Sequence, residues 1–486
     1  MDAASLLRGL LGLAVIVALA FALSSNRRRV NWRTVVFGLL LQLVFAVFIL
    51  KGDDMAEAFA PLGWPKDAFA FVAGLFVEFL AAVEVGSSFI FGSLGLGPAA
   101  EGSLGFFFFA QVLPTVIVFA SLMAILYYLG VMQAVVRGVA WVVRRALGTS
   151  GPESLSVSAN IFVGQTEAPL VIKPYIQRLS HSELMAVMTG GMATIAGGVL
   201  ASYVAFLGER YAAVAGVAVE VGQQLFAEQL LGASVMAAPA ALVLAKILVP
   251  ETERRAGAAP IRVEDARLIE DEPNPVAIAV GEVPFRADAG EATLPSTASD
   301  EAHEAVEEAL ADPGPKNVID AAATGAADGL KLALNIGAML IAFLALIAII
   351  NGILGWGAGL FGYTTSLEQI LGVILAPIAW AIGVPSADIT AFGALLGTKV
   401  IANEFVAYTQ LADGIGAGVL DPKTVVMATF ALCGFANLSS IGIQIGGIGP
   451  LAPSRTGEIA ALGLRAVLAG TLANLMTATI AGVLLA

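Results

Sequence analysis

Two carboxylates sit where carboxylates are costly. Glu167 lies in Gly164-Gln165-Thr166-Glu167-Ala168-Pro169 and Glu404 in Asn403-Glu404-Phe405, each inside a long apolar stretch. A carboxylate at membrane depth costs about 2.5–3.5 kcal/mol on insertion scales, so it marks a pathway or a site. Its two oxygens accept from adjacent hydroxyls and suit a sugar diol. Gln165 carries donors and an acceptor, which match an amide-like ring edge such as uracil or a purine presents. Asn437 and Ser440 are three apart and share a face if helical, and Phe435 offers an apolar plate for a flat ring. Asn160 and Thr194, with the carbonyls near Val163 and Ile195, are hard oxygen donors of the kind broken helices offer Na+. Competing structural readings pair Glu167 with Lys173 and Glu404 with Lys399, pack Phe435 in the core, and use Asn160 and Thr194 as helix-end caps.

Two matching segments would position these groups. Residues 154–175 are apolar but interrupted by Asn160, Gln165, Thr166, Glu167, Pro169 and Lys173; residues 388–411 are interrupted by Lys399, Asn403, Glu404 and Gln410. Each is long enough to enter a membrane and too polar to face lipid, so each is read as a re-entrant hairpin buried in protein. Each is followed by a glycine-interrupted apolar run, 190–198 after the first and 433–447 after the second. Interrupted segments in corresponding positions of two halves point to a binding site at the repeat interface. The order is hairpin, broken helix, span, loop, span, hairpin, broken helix, span, which suggests an inverted repeat.

The chain of 486 residues is 58% hydrophobic and 13% charged, against roughly 25% charged in soluble proteins. Apolar runs at 6–23, 35–50, 106–129, 232–249, 332–350 and 460–485 approach or exceed the roughly 20 residues a span needs. The N-terminal run exceeds a signal core and its charges follow it, so it is read as a retained first span. The single cysteine, Cys433, excludes an intrachain disulfide and is read as a small core residue. With His181 and His303 the only histidines, a zinc site or a histidine-based triad lacks its parts. The glycine-rich runs lack a phosphate-binding Lys-Ser/Thr context.

The net charge of −13 belongs mostly to one stretch: residues 251–320 carry 17 acidic and 6 basic side chains, the remainder 21 and 19. The segment 254–316, rich in Pro, Ala, Glu and Asp, cannot bury enough apolar surface to order itself; a short helix over 300–310 is the exception expected. It reads as a solvated insertion between the halves rather than a regulatory element. Arg27, Arg28, Arg29, Arg33, Arg137, Arg144, Arg145, Arg254, Arg255 and Arg455 flank spans. By the positive-inside rule they face the cytoplasm, which places the acidic loop inside and both termini outside with eight spans.

These motifs resemble the concentrative nucleoside transporter family. Gly397-Thr398-Lys399-Val400-Ile401-Ala402-Asn403-Glu404-Phe405-Val406-Ala407-Tyr408 fits its signature, Gly/Ala-x-Lys-x-x-x-Asn-Glu-Phe-Val-Ala followed by an aromatic or Met. Residues 164–169 look like its first hairpin tip, 433–437 with 439–442 like its broken seventh span, and 86–92 like the segment before its third span. The likeness covers nearly the whole chain except the acidic loop.

The resemblance implies an all-α integral membrane protein with about eight transmembrane helices and two re-entrant hairpins. It implies a homotrimer in the bacterial inner membrane that imports nucleosides, uridine-like ones included, by elevator-type alternating access. It implies a transporter in a lipid bilayer, with no enzyme activity, cofactor or nucleic-acid partner expected. Residues 1–130 would be scaffold spans one to three with interfacial helices, 131–250 the first half of a transport domain, 251–325 the acidic loop, 326–356 the sixth, scaffold span, and 357–486 the second half. Carried over, Gln165, Thr166 and Glu167 meet the base, Val199 and Phe435 pack on the solute, and Glu404, Asn437 and Ser440 bind ribose. Asn160, Val163, Thr194 and Ile195 fall at the family's sodium ligands, with Thr194 where Ser is expected. Sodium is the expected coupling ion. A proton is the alternative, and a membrane-embedded enzyme acting on nucleosides or lipids is a remote one.

Overall fold

The computed structural model of the chain describes residues 3–59, 63–97, 100, 102–252 and 315–484, among which every regular element is helical. The acidic segment, with the helix expected over 300–310, lies outside the described residues.

Helices α1 (Ala3–Ala22) and α2 (Trp32–Leu50) are followed by the short α3 (Gly52–Ala58) and the long α4 (Trp64–Phe91). Next come α5 (Phe108–Gln111), α6 (Leu113–Tyr128) and α7 (Val131–Leu147). The first hairpin pairs α8 (Gly151–Ala159) with an arm made of a 3-10 turn over Ala168–Ile172 and α9 (Lys173–Ile176). Then α10 (His181–Ala193) and α11 (Gly197–Ala215) form one broken span, and α12 (Val219–Leu248) closes the first half.

The second half repeats that order. It consists of α13 (Val318–Gly359), α14 (Leu367–Ala381), the hairpin α15 (Ile389–Ile401) and α16 (Glu404–Gly416), the broken pair α17 (Pro422–Leu432) and α18 (Ser439–Ile448), and α19 (Thr456–Leu484). The repeat is longer than the sequence pattern alone suggests: α6 and α7 precede the first hairpin as α13 and α14 precede the second, which adds a span and a helix to the first half and the helix α14 to the second. The sixth span also starts earlier than residue 326: Asn317 accepts from the Ile319 and Asp320 amides and caps α13 there, which supplies the partners a helix start lacks.

Seven helical stretches among the described residues are long and apolar enough to cross a membrane. They include α4, which lies before the expected third span, and omit the broken pair α17–α18; Leu6–Ala22 of α1 is a further apolar helix. Near its start α4 accepts from Gln224 at Ala70, and just beyond its end Leu94 accepts from Gln111. Gln224 lies near the start of α12 and Gln111 just before α6, both at the same end of the bundle, so α4 runs along that end.

The opposite end gathers the arginines. Ser25 N–H bonds the Leu248 carbonyl at 2.9 Å, bringing the ends of α1 and α12 together. Thr34 at the start of α2 reaches Leu147 at the end of α7. Arg455 donates to the Ile176 and Leu179 carbonyls at 2.8 and 2.7 Å. The first hairpin has its feet at this end, where Glu153 pairs with Lys246 of α12 at 2.7 Å. The second has its feet at the far end, where Asp388 accepts from the Asp421 amide and Asp413 faces Arg210. The hairpins therefore enter from opposite ends, as an inverted arrangement requires.

Burial separates two kinds of helix. Helices α10, α11, α12 and α19 are buried along most of their length. The 42-residue α13 buries only Ala321, Gly325, Gly329, Ala333 and Leu340, largely a stripe of small residues at every fourth position. A Cβ on Gly329 would stand 2.7 Å from the Ile117 Cα and 2.8 Å from the Ala120 Cβ. The absence of side chains there is what lets α13 lie against α6, as small residues do between membrane helices.

Candidate solute-binding site

Each hairpin tip is fastened to the break of the helix that follows it. Gly197 N–H donates to the Phe162 carbonyl at 3.2 Å, and Leu438 N–H donates to the Val400 carbonyl at 3.0 Å. The two breaks touch where Phe435 N–H donates to the Thr194 carbonyl at 3.3 Å. Breaks leave helix-end groups without intrahelical partners, and here the tips use them.

In the second half, Asn403 caps α16 by accepting from the Val406 amide at 2.9 Å. Glu404 is then the first helical residue, at the positive end of the helix dipole. Its Oε2 accepts from Asn437 Nδ2 at 2.8 Å and its Oε1 from the Tyr203 hydroxyl at 3.4 Å. Asn437 Oδ1 in turn accepts from the Ser440 amide at 2.8 Å and the Ser439 hydroxyl at 2.7 Å. Ser440 Oγ accepts from Gln165 Nε2 of the first hairpin at 3.1 Å. One polar chain thus runs between the tips. The buried Gln165 Oε1 receives no hydrogen bond, and a buried acceptor in that condition calls for a donor from a ligand or water.

Gln165, Thr166, Glu167, Val199, Glu404, Phe435, Asn437 and Ser440, the eight residues expected to contact a solute, all line one cavity of about 150 Å³. Leu332, Ile336, Met339 and Leu340 of α13 wall its other side. Glu167 and Gly164 also line an adjoining vestibule of about 1030 Å³, which reaches Tyr127, Lys316, Asp320 and Asp328. Glu167 is the most exposed of the eight. It is therefore at the mouth of the cavity, whereas Glu404 is inside. Toward the far end, Phe405 packs against Phe206 with ring centroids 6.0 Å apart. Phe206 lines a separate cavity of about 360 Å³, and this ring pair stands between the two.

The expected ion residues gather at the first tip and break. Asn160 is fully buried; its Nδ2 donates to the Ser156 carbonyl at 3.1 Å, and its Oδ1 has no donor. Thr194 donates its hydroxyl to the Gly190 carbonyl at 2.9 Å and keeps lone pairs free. Ile195 is buried beside it and Val163 borders the vestibule. An oxygen set with one orphaned buried acceptor fits a hard monovalent cation.

The alternative ion pairs do not form: among the described residues no salt bridge joins Glu167 to Lys173 or Glu404 to Lys399. Lys399 donates instead to the Ala431 carbonyl and Asn474 Oδ1 at 2.8 and 2.7 Å. Sequence reasoning missed Tyr203 and Asn474. Tyr203 has the composition of an ordinary core aromatic and gave no signal. Asn474 did give one: a lone amide inside the apolar run of the last span, where polar side chains are expensive.

Residues 229–482 match the family described as Na+ dependent nucleoside transporter C-terminus, and residues 11–94 match its N-terminus. Residues 109–210 match the description Nucleoside recognition. Nucleoside permease NupC of Helicobacter pylori is 37% identical over 98% of this chain and 97% of its own. Sodium/nucleoside cotransporter 1 of Mus musculus is 35% identical over 97% of this chain and 63% of its own. A solved structure of CNTnw in an inward-facing substrate-bound state aligns with a TM-score of 0.76 and 39% identity, covering 99% of this chain and 98% of that one. With its two halves, its paired tips and these relatives, which are transporters and not enzymes, the chain belongs to the Na+-dependent nucleoside transporter family.

Proposed function

We propose that this protein imports nucleosides across a bacterial inner membrane by symport with Na+. The observation that carries the reading is the convergence of eight residues, from both hairpin tips and both broken helices, on one cavity. Glu404 and Asn437 hold the ribose hydroxyls, because a carboxylate accepts from two adjacent hydroxyls and an amide can serve either as donor or acceptor. Gln165 reads the base edge with its unpaired carbonyl, Thr166 and Glu167 flank it, and Val199 and Phe435 pack on its faces. Asn160 and Thr194, with the Val163 and Ile195 carbonyls, hold the ion.

The arginine end is cytoplasmic in this reading, which puts the acidic segment inside and both termini outside. The cavity then opens inward through the vestibule that reaches Lys316 and Asp328, with Phe405 and Phe206 closing the outer side. The hairpins with α10–α12 and α17–α19 move as one transport domain in elevator fashion. Its unity is supported by Lys246 and Arg455, which tie both feet of the first hairpin to α12 and α19. The first spans and α13 form the scaffold. Exposed apolar side chains on α4 and α13, among them Phe89, Ile341 and Trp356, suit lipid and neighbouring copies in a homotrimer.

Uptake of radiolabelled uridine into proteoliposomes, with sodium and pH varied independently, tests this. Accumulation driven by a sodium gradient is expected. Accumulation driven by protons without sodium would replace the ion, and chemical conversion of uridine would overturn the transport reading.

A further inference from the structure

The two helix breaks are built alike and completed differently. At the first, Asn160 of the hairpin brings a buried oxygen that no group among the described residues satisfies. At the second, the hairpin brings an amine. Lys399 sits in the last turn of α15 and is fully buried. Its Nζ lies 2.8 Å from the Ala431 carbonyl and 2.7 Å from Asn474 Oδ1. Ala431 is in the last turn of α17, where carbonyls have no helical partner and the helix dipole is negative. These are the oxygens that a bound cation would seek.

Asn474 extends the arrangement to both halves. Its Nδ2 donates to the Ala193 carbonyl at 2.7 Å and the Cys433 carbonyl at 2.6 Å. Ala193 ends α10 and is followed directly by Thr194. With Lys399 donating to its oxygen, the Asn474 amide can face only one way, with both donors toward the breaks. Gly434 makes room for this: a Cβ there would stand 2.6 Å from Asn474 Oδ1 and 2.7 Å from the Ala193 carbonyl.

We propose that Lys399 is a built-in cation that closes the second helix break as a bound ion closes the first. By joining the arm before Glu404 to the half-helix before Asn437, it is the positioning residue for the ribose side of the cavity. Asn474 is the joint between the ribose and ion sides. The inference rests on the nucleoside and sodium reading above. It explains why one half needs an external ion and the other does not.

The test uses the purified full-length protein, with uridine affinity from calorimetry and the sodium midpoint from thermal stabilisation. Lys399→Met keeps length and removes the donors; it is expected to weaken uridine binding at least tenfold and shift the sodium midpoint less than threefold. Asn474→Leu is expected to worsen both at least tenfold. Lys399→Gln, which keeps donors without charge, is expected to behave as Lys399→Met and replaces it if that variant does not reach the membrane. Wild-type uridine affinity in either Lys399 variant would overturn the proposal, as would equal shifts in uridine and sodium, the mark of a merely structural role. Absence of sodium-dependent uridine binding in the wild type would instead overturn the functional reading on which the proposal rests.

Discussion

The first and second helix breaks carry the same backbone plan with opposite polar inventories. Around the first, Asn160 Oδ1 is buried with no donor. Around the second, Lys399 donates to the Ala431 carbonyl and Asn474, and Asn437 donates to Glu404, all at 2.7–2.8 Å. A buried acceptor left alone costs about 1–3 kcal/mol. In the proposed reading an ion supplies the partner that Asn160 Oδ1 lacks at the first break, while at the second Lys399 and Asn474 already hold the helix ends and a solute's hydroxyls meet Glu404 and Asn437. An inverted repeat can thus differ in its polar groups without changing its fold: one copy brings an unpartnered oxygen to its break and the other brings an amine.

The comparison can be broken most directly at Glu404. Glu404→Gln keeps the shape and removes the charge. Uridine uptake in proteoliposomes should fall roughly 100-fold, the loss expected for a charge-assisted bond to hydroxyls. Near-normal uptake would take the ribose away from the second break. Asn160→Leu probes the other side: the sodium midpoint for uptake should rise roughly tenfold, in keeping with loss of one bond to a charged partner. An unchanged midpoint would place the ion elsewhere.

Competition sharpens the picture with no mutation. 2′,3′-Dideoxyuridine should compete for uptake at least roughly tenfold less well than uridine, the loss expected for one net hydrogen bond of about 1.4 kcal/mol. Equal competition would show that the second break does not read ribose. The smallest effect is expected outside both breaks. Deleting residues 258–312 should leave the uptake rate within about twofold, because a segment of that composition contributes little folding energy. A large loss with normal membrane expression would make the acidic segment part of the mechanism.

Much of the site was legible before the fold was known. Glu167, Gln165, Glu404 and Asn437 stood out because polar side chains in apolar runs are expensive, and the two runs matched in order. The broken helices were visible through their glycines. What was not legible was partnership. A Lys399–Glu404 ion pair was one competing reading, yet the Lys399 amine turns to Ala431 and Asn474, which are 32 and 75 residues away. Tyr203, 201 residues from Glu404, could not be linked to it by spacing. The helix α4 is long and apolar enough to cross a membrane, and only its contacts show that it stays at one end of the bundle.

The sequence by itself determined that this is a membrane protein of two related halves whose hairpin tips carry the polar chemistry. Apolar run length and the cost of buried charge are local quantities, and they can be read along one dimension. The tertiary structure decided which oxygens are satisfied and which are left over. Satisfaction depends on directional bonds of about 3 Å between groups far apart in the chain, and no spacing encodes them. The difference between the two breaks lies in those bonds: the unpartnered oxygen of Asn160 and the amine of Lys399 become comparable only once each hairpin tip is folded against the broken helix that follows it.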